Sequence, residues 1–449
     1  MNDVRARAKA LYNALDFSRP INFGQTELVE DDQAQSEELY VPSLHGGDAT
    51  FDPVQELADQ IDFSVSSGAY LFTGNRGTGK TTELMRLAKI LRGYGCAVFY
   101  VDLSEYLLLT QRVEITDFLI SVLGALSEKV RDRFGEDVGR AGFLQQIWSF
   151  LNAEVKFEGI ALPAGPAQLK AALLHTPGFK EELQRRTRGH VQTLVEKAQQ
   201  FALEVAEHVR HKLHEPDMKI VVIVDSVERL RGIGDSTDVR EVFKSAETLF
   251  GSHADLLRFM GLSVIYTIPP YLQALAGGLG AHYAGGRIYA LPSVHVYERC
   301  PEPGQWPEVS DQGVGKLLAI VERRFAGYAE FFTDEQLRQL ARSSGGDLRD
   351  FFRMARLAVT RGPSVPSLPL PDRVIEDAED AVRRDMLPIA HDDRAWLTRI
   401  AHSHHPELPS LDKLPEFARL QQGKYVLQYR NGEDWYAVHP LLRQELGLT

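Results

Sequence analysis

Cysteine is nearly missing from this chain: Cys96 and Cys300 are the only two among 449 residues. That scarcity excludes a disulfide framework and a cysteine-rich zinc knuckle. Apolar runs of the roughly 20 residues needed to cross a bilayer are absent too. The opening stretch, MNDVRARAKALYNALDF, has basic residues but no apolar centre followed by a small-residue cleavage site. It reads as an amphipathic helix and not as a secretory signal, so a cytoplasmic address with no membrane partner is expected. Positive charge is in deficit, 50 Lys and Arg against 62 Asp and Glu, for a net charge of −12. Broad binding to duplex DNA rests on many cations meeting phosphates, so DNA is disfavoured as a partner, with only a local basic patch left open. No repeat of fixed period is visible. What is present is a globular composition, 44% hydrophobic and 25% charged, over a length suited to about three domains.

Five short β-rich runs punctuate the first two thirds. AYLFTG (69–74) ends at a glycine-rich loop, and KTTELMRLAKILRGYG then turns helical, with Leu84, Leu87, Ile90 and Leu91 on one face. CAVFYVDL (96–103), KIVVIVDS (219–226), LSVIYTIPP (262–270) and GRIYALPSVHVY (286–297) supply the other four. KIVVIVDS is apolar on both faces, as a buried parallel strand requires. Helical stretches separate all five, so the expected class is α/β: a parallel sheet with a helical insertion over about 104–215. The last helix of that insertion carries Val191, Leu194, Val195, Ala198, Ala202, Val205, Val209 and Leu213 along one stripe. His208, His211 and His214 on the same stretch read as a solvated face, since no ligand set accompanies them. HSHHPE (402–407) reads as a loop.

The expected domains are an N-terminal segment (1–50), a nucleotide-binding domain (51–300), a helical lid (301–372) and a C-terminal module (373–449). RGPSVPSLPLPD (361–372) marks the edge before the last. In that module, KYVLQYRNGEDWYAVHPLL places two β-rich runs around Asn431-Gly432, a type I′ hairpin signal. Helices followed by a hairpin suggest a winged helix. Its stretch LDKLPEFARLQQGK mixes Asp412 and Glu416 with Lys413, Arg419 and Lys424, which favours a protein contact over a DNA-reading helix. Trp435 and Tyr436 are expected to fill the module's own small core.

Gly74, Gly79, Lys80 and Thr81 fit the pattern G-x-x-x-x-G-K-[ST] between a strand and a helix. Glycines there let backbone N–H groups turn inward around phosphates, and the helix N-terminus adds a positive dipole end. Gly74, Asn75, Arg76, Gly77, Thr78, Gly79, Lys80, Thr81 and Thr82 are the expected nucleotide contacts. Lys80 would meet the β- and γ-phosphates, and the Thr81 hydroxyl would ligate Mg²⁺. Asp225, ending an apolar strand expected to neighbour the P-loop strand, is the candidate second magnesium ligand. Glu228, three residues later, is the candidate for polarising the attacking water.

The order of P-loop, helical stretch, VIVDSVER, VIYTIPP, GGRIYALPS and GGDLRDFFRMAR resembles AAA+ ATPases over about residues 40–360. Within them it looks like the origin-recognition initiators and the STAND signalling ATPases. The resemblance implies ATP with Mg²⁺ as ligands. It implies Thr267 as the polar sensor of the γ-phosphate, Arg349 as the lid arginine and Arg287 as a finger reaching a neighbour's nucleotide. Ser226 stands where the family commonly has a glutamate; an acid two residues later, Glu228, is closer to the STAND pattern and implies slow hydrolysis. The expected function is a nucleotide-dependent switch or assembly regulator for a partner on a separate chain, as in bacterial defence or signalling, with a nucleotide-dependent homo-oligomer. The alternative is a DNA-associated initiator or transposition-type ATPase using its winged helix; an inert P-loop scaffold is a third. Residues 39–48 are the expected adenine side.

Overall fold

The computed structural model describes residues 2–448 apart from 19, 22, 24–37, 46–51, 140–141, 156–165, 231–235, 276–277, 300–301, 366 and 411–412. Cys300, Asp412 and positions 46–48 of the expected adenine segment lie outside the described residues. Two compact units divide the chain: Met1–Pro53 with Gly74–Arg86 and Ala290–Thr449, and Val54–Thr73 with Leu87–Tyr289. Among the described residues no helix is long and apolar enough to cross a membrane.

The second unit is built on a sheet of β1 (Ala69–Gly74), β2 (Ala97–Asp102), β3 (Ile220–Asp225), β4 (Ser263–Ile268) and β5 (Ile288–Leu291), in the order β2-β3-β4-β1-β5. Every position of β1, β3 and β4 is buried. Strands with both faces covered are mostly apolar, which is why these segments read as near-continuous hydrophobic runs interrupted only at Thr73, Asp225, Ser263 and Thr267. Parallel pairing aligns Phe72 with Thr267 across β1 and β4, and Asp102 with Asp225 across β2 and β3. The expected adjacency of the Asp225 strand to the P-loop strand is corrected here. β4 is inserted between β3 and β1, because parallel crossovers let the chain return to a strand position it had skipped.

The insertion is helical where described, with helices Ile115–Phe134, Phe143–Phe150, Pro166–His175, Pro177–Thr187 and Val191–Leu213. Ile115–Phe134 is the central one. Its N-terminus closes with a capping box between Glu114 and Asp117, and Gly135, at φ +77°, ends it. Phe118 meets the rings of Phe250 and Tyr266, at 6.0 and 5.8 Å. Asp117 is fully buried, and Lys180 Nζ at 3.4 Å and Gln184 Nε2 at 3.1 Å neutralise and bond it. The stripe on Val191–Leu213 is buried from Leu194 to Val209 with Phe201 and Ala206 added, while Val191 and Leu213 at its ends are only half-buried.

The first unit gathers helix Asn2–Ala14, the P-loop, and helices Asp311–Arg324, Asp334–Ser343, Leu348–Arg361 and Asp372–Arg384. Helices His391–Ser403 and Leu414–Gln422 follow, then the antiparallel pair β6 (Val426–Asn431) and β7 (Glu433–Val438). The hairpin forms where Asn431-Gly432 predicts it, but only Gly432 has positive φ, so its turn is not type I′, which needs both. Trp435 stacks on Tyr429 at 4.5 Å, and Tyr436 meets Phe417 edge-on, so both aromatics sit inside the module's core.

Candidate functional site

β1 runs directly into the P-loop, and the loop's shape explains its glycines. A Cβ on Gly74 would lie 2.8 Å from the Leu291 carbonyl oxygen. Gly77 and Gly79 adopt φ +96° and +83°, which L side chains rarely do. The Thr78 hydroxyl donates to the Asn75 carbonyl at 2.9 Å and closes the loop's first turn. Lys80 opens the helix, and its buried ammonium donates to the Gly74 carbonyl at 3.1 Å, curled back over the loop. The Thr82 hydroxyl accepts the Ile21 N–H at 3.3 Å. Below it, Tyr40 donates to Glu83 at 2.9 Å, and Arg86 bridges Glu83 and Asp52 at 2.7 and 2.6 Å. This buried network fastens the N-terminal segment to the P-loop helix. His45 bonds the Pro292 carbonyl at 2.8 Å through Nδ1, and burial pushes its pKa down to about 4.

These residues fit a polyphosphate. The carboxamide of Asn75 is buried, and neither of its polar atoms has a partner among the described residues. Two glycines in left-handed conformation beside a buried lysine at a helix start are the backbone arrangement that an anion-binding loop needs, and a Cβ at either would press on Asp347 or Leu348. Lys80, the hydroxyl of Thr81 and the loop's N–H groups are the groups that would hold phosphates with Mg²⁺.

The segment 344–350, a loop followed by the first turn of helix Leu348–Arg361, packs on this cradle within the same unit. The Leu348 N–H donates to the Gly77 carbonyl at 3.0 Å, and a Cβ on Gly77 would meet an Asp347 carboxylate oxygen at 2.1 Å. Asp347 also caps helix Leu348–Arg361 by accepting the Asp350 N–H at 2.8 Å. Lys424, from the C-terminal module, reaches in with its ammonium 2.8 Å from Asp347 and 2.9 Å from Asp350. His439 Nε2 stands 3.6 Å from the other Asp350 oxygen. Its Nδ1 accepts the Leu441 N–H at 3.3 Å, which leaves the ring proton on Nε2, facing the carboxylate. Burial raises the Asp347 pKa against the pull of Lys424. Burial also opposes ionisation of Asp350, but His439 and Lys424 hold it far below the carboxylate range. Arg349 points its guanidinium over the Phe17 ring, 5.6 Å away.

In the other unit, Asp225 ends β3 with its side chain buried. One carboxylate oxygen accepts the Tyr100 hydroxyl and the other accepts the Ser226 N–H at 2.7 Å. Burial first, then the Asp225 charge, pushes the Tyr100 phenol far up, so it stays a donor. Ser226 sits at φ +71° with its hydroxyl buried and unpartnered among the described residues. The Thr267 hydroxyl accepts the Val227 N–H at 3.1 Å and donates to the Val224 carbonyl at 3.3 Å, tying the tip of β4 to the turn after β3. Glu228 is half-buried in a one-turn helix Val227–Arg229. Arg287 is half-exposed, pairs with Glu56 at 2.6 Å and lies 4.8 Å over the Tyr289 ring.

The sequence candidates therefore fall into two groups, residues 74–82 with Arg349 in one unit, and Asp225, Glu228, Thr267 and Arg287 in the other. Asp347, Tyr100 and Asp102 were not singled out. Asp102, beside Asp225 in register, had only its strand-end position to mark it.

A five-stranded sheet of order β2-β3-β4-β1-β5 with a glycine-lysine loop leaving β1 is the α/β fold of a P-loop NTPase. Over 97% of its length the chain is similar to the Aeropyrum pernix ORC2 protein solved as ADPNP–ADP complexes, covering 95% of that chain at 10% identity and a TM-score of 0.39. It is also similar to the Walker-type ATPase paby2304 of Pyrococcus abyssi (91% of this chain, 99% of that one, 14% identity, TM-score 0.40). The Thermotoga maritima RuvB Holliday junction branch migration motor matches 88% of this chain and 94% of its own at 12% identity and a TM-score of 0.35. No family model matches the chain, and no curated protein matches it.

Proposed function

We propose that the chain is a cytoplasmic, ATP-binding AAA+-type ATPase that acts as a slow nucleotide-dependent switch on a partner protein. The observation that carries this reading is the buried ionic cluster in which Lys424 and His439 of the C-terminal module meet Asp347 and Asp350 of the loop packed on Gly77. A change at the phosphate cradle reaches that module through two side chains. In this reading Lys80 and the loop amides would bind the phosphates, and Thr81 and Asp225 would each serve as a ligand for Mg²⁺. Glu228 orients water, Thr267 and Arg349 respond to the γ-phosphate, and Arg287 serves a neighbouring copy. The bound metal would supply charge neutralisation at the transferring phosphoryl group. Ser226 in place of an acid beside Asp225 supports slow turnover.

Residues 301–372 act as a lid and the C-terminal helices with β6 and β7 as a winged helix that contacts protein. Lys413 pairs with Glu416 at 3.4 Å, Arg419 with Asp393 at 2.6 Å and Lys424 with two aspartates, so each of these three cations already has a carboxylate partner. A STAND-like role in defence, with the effector on a separate chain, is the setting this reading favours. The test is mass by light scattering with Mg-ATP, Mg-ADP or neither, together with phosphate release against Lys80→Ala. Nucleotide-dependent mass and release lost in the variant support the switch; one mass in all three states contradicts it.

A further inference from the structure

Asn75 follows Gly74 in the phosphate loop and is 5% exposed. Its main-chain carbonyl already serves the loop, taking both the hydroxyl and the N–H of Thr78. Its side chain builds nothing: Nδ2 and Oδ1 are both buried, and neither has a hydrogen-bond partner among the described residues. Folded proteins rarely leave both ends of a carboxamide buried and unused, because the chain gave up water for them. An alanine would fill the position without that cost. The Lys80 ammonium rests on the Gly74 carbonyl, which belongs to the Gly74–Asn75 peptide. A lysine at this place in the pattern serves the β- and γ-phosphates. Asn75 therefore shares the peptide on which that lysine rests.

We infer that the Asn75 carboxamide is a specificity-determining group that distinguishes a nucleoside triphosphate from a diphosphate. Nδ2 donates to an oxygen of the terminal phosphoryl group, and Oδ1 accepts from a water beside it. A phosphate oxygen can only accept, so an amide donor suits it. An uncharged amide also adds no repulsion, which a carboxylate of the same shape would. The inference rests on the nucleotide reading above.

The test uses the full chain, wild type and Asn75→Ala, titrated with Mg-ADP and with the Mg²⁺ complex of a non-hydrolysable ATP analogue, alongside thermal unfolding without nucleotide. Asn75→Ala should unfold at the wild-type temperature or above, since a buried unsatisfied amide is gone. Its triphosphate affinity should fall about tenfold, the worth of one hydrogen bond to a charged group, with diphosphate affinity within about twofold. Asn75→Asp, which keeps the shape, should lose triphosphate affinity further and serves if the alanine variant does not fold. Equal losses for both nucleotides, or a destabilised variant with an unchanged affinity ratio, would overturn the inference while leaving the nucleotide reading intact. A wild type that binds neither ligand overturns both.

Discussion

Replacing Lys424 by methionine is the perturbation that most severely tests the connection between the C-terminal module and the phosphate loop. The ammonium is the countercharge for Asp347 and Asp350, whose side chains are 2% and 5% exposed. Removing one partner of a buried ion pair costs about 3–5 kcal/mol, because the charge left behind has neither water nor partner. Methionine keeps most of the stem's volume, so little of the loss comes from packing. The sign of the pH dependence follows from burial. Asp347 already has its pKa raised, and without Lys424 it rises further. A carboxylate with a folded pKa above its unfolded one opposes folding when ionised and costs nothing once protonated in both states. The penalty of Lys424→Met should therefore be largest at neutral pH and shrink as pH falls toward and below the ordinary carboxylate range. The assay is urea unfolding followed by tryptophan fluorescence, since Trp306, Trp396 and Trp435 all belong to the unit that holds this cluster. Adding Asp347→Asn should recover part of the loss, with a coupling of about 1–3 kcal/mol in the double-mutant cycle. A loss below about 1 kcal/mol, as at an exposed pair, or strict additivity in the cycle, would refute the reasoning.

Gly77→Ala should destabilise the chain by about 2 kcal/mol or more, since its Cβ would need both a left-handed backbone and the space of the Asp347 carboxylate. Wild-type stability in that urea assay would refute this. His45, neutral and buried with a pKa near 4, should contribute stability that is full above its unfolded pKa of about 6.5 and is lost as pH falls toward 4. The loss approaches about 3 kcal/mol, and subtracting a His45→Gln curve from the wild-type curve isolates it. Asp225→Asn should keep nucleotide binding but lose magnesium-dependent phosphate release by about a hundredfold or more, as removal of a metal-holding carboxylate does. Unchanged release would remove Asp225 from the site.

Strands and phosphate loop were legible because their signals are local. A largely apolar six-residue strand and a glycine-lysine pattern announce themselves within ten residues, and β1 runs over the residues expected, Ala69–Gly74. What was not legible is what distant segments bring. Asp347 lies 270 positions from Gly77, and Lys424 a further 77 along the chain. An N-capping aspartate and a tail lysine look like ordinary surface charges until the fold buries them together. The place of β4 between β3 and β1 is of the same kind, since strand order in sequence does not fix strand order in space. The resemblance points to Thr267 as a sensor, and its hydroxyl is engaged by β3 and the turn that follows. The resemblance points to Arg349 as a lid arginine, and the two glycines ahead of it serve the loop: Gly345 and Gly346 at φ +59° and +78° let it fold against Val294, Leu427 and Tyr429.

The central claim is that residues 74–81 grip a triphosphate tail, and the direct measurement is isothermal titration of Mg-ATP into the full chain and into Lys80→Ala. Heat of a one-to-one association in the wild type, absent from the variant, is the result predicted. No heat in the wild type with magnesium supplied, or equal heat in both proteins, would contradict it.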